Sequence, residues 1–355
     1  MSGKIVSIGF IGPFSPPFVG DGIKNDFLKE GFANAGVRHI HFFDSINRES
    51  SKLKYYRNLL AFIWRHPLLI LSLNKNGRIF MVAVLFFVRL AKRKKVALFV
   101  IGGSFDRQIA GLQWIFKKLY VHELNKMDVV MAESLILKNG LGAVGLRNVE
   151  IVYNPRKDDG VRWSIDKADR MRIVFVSRVT ETKGVANLIR AVELVNETGH
   201  TLVGLDVYGD IDPGYEAEFI AKCENSNGTI RYKGVLQPDQ VQRTITGYRL
   251  LALPTYHFGE GLPGILVESG MVGIPVLITR YNSLGEYFEH DVSACFVECH
   301  DVEGIKEQLV WMLSDDALCV RLGNGIKKVA EPFKLGVVME LSLSLMAQRG
   351  WKFEI

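Results

Sequence analysis

Short apolar runs rich in β-branched residues recur along this chain in two series. Each run stops near a glycine or proline and gives way to helical periodicity, a pattern that admits little besides a parallel α/β fold. Parallel strands need a crossover of a dozen or more residues, so strand and helix must alternate. In the first series Ile5–Ile11 predicts a strand that ends at Gly12-Pro13 and the loop Gly20-Asp21-Gly22. A helix is expected over Ile23–Ala35 with its stop at Gly36, then strands at His39–Phe43, Lys95–Ile101, Asp128–Ala132 and Val149–Val152. In the second series strands are expected at Arg172–Val176, Leu202–Tyr208, Thr229–Tyr232, Tyr248–Leu253, Pro275–Ile278 and Ala294–Val297. Helices fall at Val185–Asn196, Gly264–Val272 and Val302–Leu313, and the C-terminal stretch is mainly helical.

Between the series, Pro155–Arg170 is polar and lacks a sustained apolar stripe, as a linker would. The 355 residues therefore divide into a Rossmann-like domain over 1–155, a linker over 156–170, a second Rossmann-like domain over 171–335, and a helix and tail over 336–355. Apolar residues at 48% and charged residues at 23% exclude disordered and fibrous classes. Cys223, Cys295, Cys299 and Cys319 form no metal-binding spacing and read as reduced core thiols. The run Ile5–Phe10 is too short for a signal-peptide core, which argues for a cytoplasmic protein.

Charge is unevenly spread. Residues 1–150 hold 22 Lys and Arg against 10 Asp and Glu, whereas 151–355 hold 22 against 28. No acidic residue lies between Glu49 and Asp106, where eleven basic residues occur, so an anionic membrane surface or nucleic acid is the natural partner of residues 50–105. Nucleic acid is the weaker candidate, because the region lacks a recognition motif and is too apolar for a phosphate groove. Leu59–Leu73 and Ile79–Val88 are both too short or interrupted to span a bilayer and read as core helices. The alternative places the basic, aromatic stretch Lys52–His66 in a membrane interface.

The stretch Leu253–Pro275 carries the most chemistry. A Gly- and Pro-containing loop follows a strand and opens a helix near Gly264, which offers free backbone amides to an anion such as a diphosphate. Glu260 on the loop and Glu268 in the helix can address different parts of one elongated ligand. Arg178 and Lys183 stand between the strand ending at Val176 and the helix starting at Val185, where open α/β sheets bind ligands. Two cations and a helix N-terminus suit a pyrophosphate.

Taken together these residues resemble the retaining glycosyltransferases of family 4, which have the GT-B architecture of two Rossmann-like domains facing across a cleft. The resemblance rests on Ser177-Arg178 to Lys183-Gly184, Val207–Asp210, Tyr232–Val235, the Glu-x7-Glu pair Glu260 and Glu268 with Gly261–Ile265 between them, Gly273–Val276 and Gly285-Glu286. It covers residues 171–335, with a looser match at the Gly12–Gly22 loop. The final helix is expected to cross back to the first domain.

The resemblance implies that Arg178 and Lys183 hold the diphosphate of a nucleotide-sugar, that Glu268 accepts from the ribose hydroxyls, and that Glu260 faces the donor sugar. Gly261, Leu262, Pro263, Gly264 and Ile265 would supply backbone contacts. Tyr208, Gly209 and Val235 would line the base pocket, and Gly20 and Gly22 would close over the diphosphate. On the acceptor side stand Gly103, Ser104 and His257. Many relatives place a histidine at the strand end Val100–Phe105, but this chain has none in register, and Ser269-Gly270 replaces the usual Ala-Met. The resemblance implies transfer with retention and no metal or other cofactor. The donor expected from family frequency is a uridine diphosphate sugar. The acceptor is expected to be a glycan, lipid-linked, of a cell-surface polysaccharide such as lipopolysaccharide, O-antigen, capsule or exopolysaccharide, handled at the inner face of the cytoplasmic membrane. The alternatives are another GT-B nucleotide-sugar enzyme such as an epimerase, and a non-catalytic nucleotide-sugar-binding subunit.

Overall fold

The computed structural model describes residues 7–16, 20–46, 51–198, 202–258 and 260–355. The chain divides into two compact units, Met1–Lys157 with Phe333–Ile355, and Asp158–Pro332. In chain order the first unit contains β1 (Ile8–Gly12), α1 (Gly20–Asn34), β2 (Ile40–Asp44), α2 (Lys52–Arg65), β3 (Leu68–Leu73), α3 (Lys75–Ala91), β4 (Lys95–Val100), α4 (Phe105–Ala110), α5 (Trp114–Asn125), β5 (Val129–Ala132), α6 (Leu135–Ala143) and β6 (Val149–Ile151). The second contains β7 (Asp169–Val176), α7 (Val185–Thr198), β8 (Gly204–Tyr208), α8 (Glu216–Asn225), β9 (Ile230–Tyr232), α9 (Val241–Ile245), β10 (Tyr248–Leu253), α10 (Gly264–Val272), β11 (Val276–Thr279), α11 (Leu284–Tyr287), β12 (Cys295–Val297), α12 (Val302–Ser314) and α13 (Asp316–Ala330). α14 (Leu335–Gln348) returns to the first unit.

Among the described residues each unit holds one six-stranded parallel sheet, ordered β2-β1-β3-β4-β5-β6 in the first and β12-β11-β10-β7-β8-β9 in the second. These are two doubly wound Rossmann-like halves, as the alternation of elements predicts. The start of the expected first strand, Ile5 and Val6, lies outside the described residues.

Two expectations in the first unit are corrected. Leu59–Leu73 is not one helix, because α2 stops at Arg65 and Leu68–Leu73 is a strand between β1 and β4. Pro67 forces the preceding residue out of the helical region, and His66 is extended at ψ 117°. The strand beyond it is buried on both faces, so its sequence is continuously apolar and shows no alternation that would separate it from a helix. Gly20 and Gly22 are not in a loop either, since they form the first turn of α1. A Cβ on Gly22 would lie 3.3 Å from the Phe14 carbonyl carbon and the Ser15 nitrogen, because the chain leaving β1 runs close beneath that turn.

Ile79–Val88 does lie in a helix, α3, whose Met81, Val82 and Leu85 face the core while Phe80, Phe87 and Leu90 are exposed. Lys24, Arg78 and Glu133 are buried in the first unit. Lys24 Nζ donates to the Val100 carbonyl at 2.8 Å, and Arg78 donates to those of Leu73 and Ile101 at 2.9 and 3.2 Å. Burial pushes the Lys24 ammonium down to about 8 and the Glu133 carboxyl up. α14 packs on α1 at Gly31, where a Cβ would lie 2.4 Å from Met339 Cγ, and Val338, Met339 and Met346 join a core with Phe10, Leu28 and Phe32.

The polar stretch Pro155–Arg170 carries one anchor that periodicity does not reveal. Trp163 is buried, its backbone N–H donates to the Val272 carbonyl, and its Nε1 donates to that of Tyr248, both at 2.9 Å. Cys295 and Cys319 are core thiols as expected, whereas Cys223 and Cys299 are half-buried.

In the second unit α10 lies directly on α13. A Cβ on Gly270 would stand 2.5 Å from Ala330 Cβ and 2.7 Å from the Ile326 carbonyl oxygen. In an exposed helix Gly→Ala stabilises by about 1 kcal/mol. Here Gly270→Ala should instead lower the unfolding free energy by about 1–3 kcal/mol, read as a shifted urea midpoint at unchanged slope.

Candidate active site

The second sheet reverses its winding between β7 and β10, which pair in parallel with Leu250 opposite Ile173 and Leu251 opposite Val174. Connections leaving the carboxyl ends of these two strands go to opposite faces, and a crevice opens where they part. After β7 come Ser177, Arg178 and a 3₁₀ turn over Glu181–Lys183. After β10 comes the segment 254–263, which feeds α10.

The two connections touch. Gly184 has φ +77°, and a Cβ there would stand 2.0 Å from the Pro254 carbonyl oxygen. That approach sets the Lys183 ammonium against the Glu260 carboxylate, with both side chains 11% exposed. Thr255 Oγ1 donates to the same carboxylate oxygen at 3.0 Å. The Tyr256 N–H donates to the Thr182 carbonyl at 2.9 Å, and Thr182 Oγ1 meets His257 Nδ1 at 3.1 Å. Thr279 donates its hydroxyl to the Thr255 carbonyl. Asn282, held at φ +46°, aims its amide at the carbonyls of His257, Phe258 and Glu260 at 3.3–3.4 Å. Desolvation and the Glu181 carboxylate raise the Tyr256 phenol, so it stays protonated at neutral pH.

Around this pair the groups suit an anion. α10 begins at Gly264 after Pro263, with no side-chain cap and no acidic residue in its first turn, so its amides and positive dipole end face outward. Gly261 and Leu262 lie on the approach to that turn, Ile265 lies in it, and Glu268 is half-buried one turn further along. Arg178 is exposed and, among the described residues, forms no ion pair.

Gly209 brings the exit of β8 to the same edge. Its φ is +142°, a Cβ would stand 1.7 Å from the Ser177 carbonyl oxygen, and its N–H donates to the Gly234 carbonyl at 2.9 Å. Val235 beside it is largely exposed. Tyr208 departs from the expected arrangement: its ring is buried and its hydroxyl meets that of Tyr248 at 3.0 Å, which leaves only its backbone at the strand end.

Arg178, Lys183, Glu260, Gly261–Pro263, Gly209, Val235 and His257 thus belong to the segments that leave β7, β8, β9 and β10 of one sheet, and Gly264, Ile265 and Glu268 to the helix that follows β10. Gly20, Gly22, Gly103 and Ser104 belong to the first unit, after β1 and β4, where Ser104 precedes α4 and accepts from Gln108 Nε2 at 3.1 Å. Sequence reasoning missed Thr182, Thr255, Thr279 and Asn282, which hold the Glu260 loop. Their common signal, small hydroxyl or amide residues at strand ends or in the turns that follow, is too frequent to single them out.

Against known proteins, the glycosyl transferases group 1 family matches residues 161–329, nearly the whole second unit. The chain is 25% identical over 155 residues to the amylovoran biosynthesis glycosyltransferase AmsK of Erwinia amylovora, and 25% identical over 162 residues to the 2-deoxystreptamine N-acetyl-D-glucosaminyltransferase of Niallia circulans. These matches cover 41% and 45% of this chain but only 37% and 41% of the two relatives. The structure of Anabaena HepE in complex with UDP-glucose superposes with a TM-score of 0.75 at 13% identity, over 96% of this chain and 99% of that one. That likeness extends the agreement in fold to both units.

The ion pair between Lys183 and Glu260 has a measurable consequence. Lys183→Met strands the Glu260 carboxylate in a desolvated place and should destabilise the protein by a few kcal/mol at neutral pH. Adding Glu260→Gln should restore much of that loss, so the double variant should unfold at higher urea than Lys183→Met alone.

Proposed function

We propose that this chain is a retaining glycosyltransferase that moves a sugar from a nucleoside diphosphate donor, a uridine diphosphate sugar, to a lipid-linked glycan in cell-surface polysaccharide synthesis. The observation that carries this reading is the meeting of Arg178, Lys183, Glu260 and an uncapped helix N-terminus where β7 and β10 part. A sugar diphosphate needs cations and amides at its leaving group and a carboxylate near its ring. HepE, which shares the fold, has been solved with UDP-glucose, and AmsK acts in amylovoran biosynthesis.

On this reading the bond between the sugar C1 and the diphosphate oxygen breaks while the acceptor oxygen bonds C1 from the same face, and the acceptor proton passes to the departing phosphate. Arg178, Lys183 and the first amides of α10 take up the charge that grows on the diphosphate. Glu260, which holds the Lys183 ammonium in the free protein, is released toward the sugar as phosphate takes its place. Glu268 accepts from the ribose, and the backbone at Gly209 and Val235 flanks the base. The chemistry needs no metal, because cationic side chains and amides do the neutralising.

The acceptor part rests on the first unit. Tyr56 and Trp64 on α2 and Phe87 and Leu90 on α3 are exposed among the basic residues of the 50–105 segment, of which Ser50 lies outside the described residues. Aromatics at headgroup depth and cations on phosphates would hold the protein at the cytoplasmic face of a membrane. Among the described residues no helix is long and apolar enough to cross one.

Thermal denaturation with uridine, guanosine, adenosine and thymidine diphosphates tests the donor. UDP alone should raise the melting temperature, and Arg178→Ala and Glu268→Ala should each weaken that response about tenfold or more. Product NMR should show the anomeric configuration of the donor kept. No shift with any nucleotide, or an inverted product, overturns the reading.

A further inference from the structure

At the amino edge of the first sheet, the starts of β3 and β4 meet the ends of α2, α3 and α5 and the tail beyond α14, and a cavity of about 640 Å³ opens there. Its floor is Pro67 and Leu68, and Arg89, Arg93, Lys94, Lys95, Lys126 and Lys352 converge on it.

Four of these cations are occupied by the fold itself. Lys94 Nζ donates to the carbonyls of Ile63, Trp64 and His66, which close α2. Lys95 Nζ donates to the Arg349 carbonyl at the end of α14. Arg89 donates to the carbonyls of Glu123 and Lys126 and shares the Glu123 carboxylate with Lys126. Cations at helix C-termini need no other explanation. Arg93 and Lys352 are different. Both are exposed, and among the described residues neither side chain has a hydrogen-bond or ion-pair partner. Glu123 is bound to Arg89 and Lys126, and Asp128 accepts from the Val96 N–H and Trp351 Nε1, so no carboxylate is left to answer them.

Two apolar stripes run to the same place. On α3, Phe87 and Leu90 are 68% and 74% exposed and lie within two turns of Arg93. On α5, Ile115 and Leu119 are exposed on the stripe that continues, at helical spacing, to Lys126. Arg89 ties the two helices together at this end. A cationic hollow bordered by exposed apolar stripes matches an amphiphile, with phosphate in the hollow and acyl chains along the helices. A free phosphate would have no use for the stripes.

We propose that this hollow is a headgroup site for an anionic phospholipid, held by Arg93 and Lys352, with the exposed faces of α3 and α5 entering the acyl boundary. The proposal rests on the membrane contact inferred above and carries it beyond residues 50–105 to α5 and the C-terminal tail.

The test uses the full chain with vesicles of phosphatidylcholine alone and of phosphatidylcholine with phosphatidylglycerol in roughly a 3:1 ratio. Arg93→Gln/Lys352→Gln should bind the anionic vesicles about 30-fold more weakly than the unaltered protein, the loss of two phosphate contacts. Lys54→Gln/Arg57→Gln, at the other end of α2, should weaken binding only a few-fold. All four positions are exposed, so both variants should melt as the unaltered protein does. Short-chain phosphatidylglycerol should compete, and inorganic phosphate at the same concentration should not. Equal losses in the two variants would mean a diffuse field without a site, and competition by inorganic phosphate would make it a site for a free anion. Either result overturns the lipid assignment while leaving the membrane contact standing. An unaltered protein that ignores anionic vesicles removes the membrane contact itself, with no effect on the donor reading.

Discussion

No side chain fits between residue 184 and the carbonyl of Pro254, and the candidate site depends on that contact. Parallel pairing sets β7 beside β10, but adjacency of strands only brings their exits to one edge of the sheet. For Lys183 to reach Glu260, the turn after β7 must press against the chain leaving β10, in a left-handed conformation that favours glycine. Gly209 repeats the device one strand over, against the Ser177 carbonyl. The exits of three neighbouring strands are thereby drawn together, and what they carry is mostly backbone and charge. The loop that carries Glu260 is held by Thr255 from within and by Thr279 and Asn282 from the neighbouring strand exit.

Much of the second unit was legible because every level of its sequence agreed. The helix expected at Gly264–Val272 has those bounds, and the strand expected at Tyr248–Leu253 does too. Alternation of elements, glycine at the strand exits and charged residues beside them all pointed to one carboxyl edge. The first unit was less legible for a physical reason. Its central strand β3 is buried on both faces, and a continuously apolar stretch carries no period, so Leu59–Leu73 looked like one helix although Pro67 marked the break. Trp163 escaped notice because one buried ring in a polar stretch leaves no pattern. Tyr208 misled because a residue at a strand end can turn its side chain either way, and the partner that turned it inward, Tyr248, lies forty residues on. Thr255 and Asn282 act on carbonyls, which no sequence displays.

The uneven charge of the two halves has a similar division of labour behind it. Many cations of the first unit end helices, as Lys94 and Arg89 do, so an excess of basic residues is not by itself a measure of affinity for anions. What distinguishes a surface from a solvated rim is the remainder after those uses are subtracted. Near the amino edge of the first sheet that remainder is Arg93 and Lys352, flanked by large apolar residues that face water. Cations that hold the fold thus differ from cations left for a partner, a distinction that counting charges cannot make.

The same subtraction applied to the candidate site of the second unit gives a different result for each of its two cations. Lys183 is spoken for by Glu260, while Arg178 is not. On the reading proposed above, a diphosphate arriving at this edge would meet Arg178 as an open charge and would have to compete with a carboxylate for Lys183. That competition would weaken binding of the nucleotide, yet on the proposed reading it would also link the two events of transfer: a phosphate that wins Lys183 would free Glu260 at the moment a sugar stands beside it. Free phosphate or a bare nucleotide would displace the carboxylate without giving it a new partner, whereas a sugar diphosphate supplies both the anion and the hydroxyls that can receive it. An ion pair broken by ligand can in this way favour the complete donor over its fragments, since only the complete donor repays the desolvation of both charged groups.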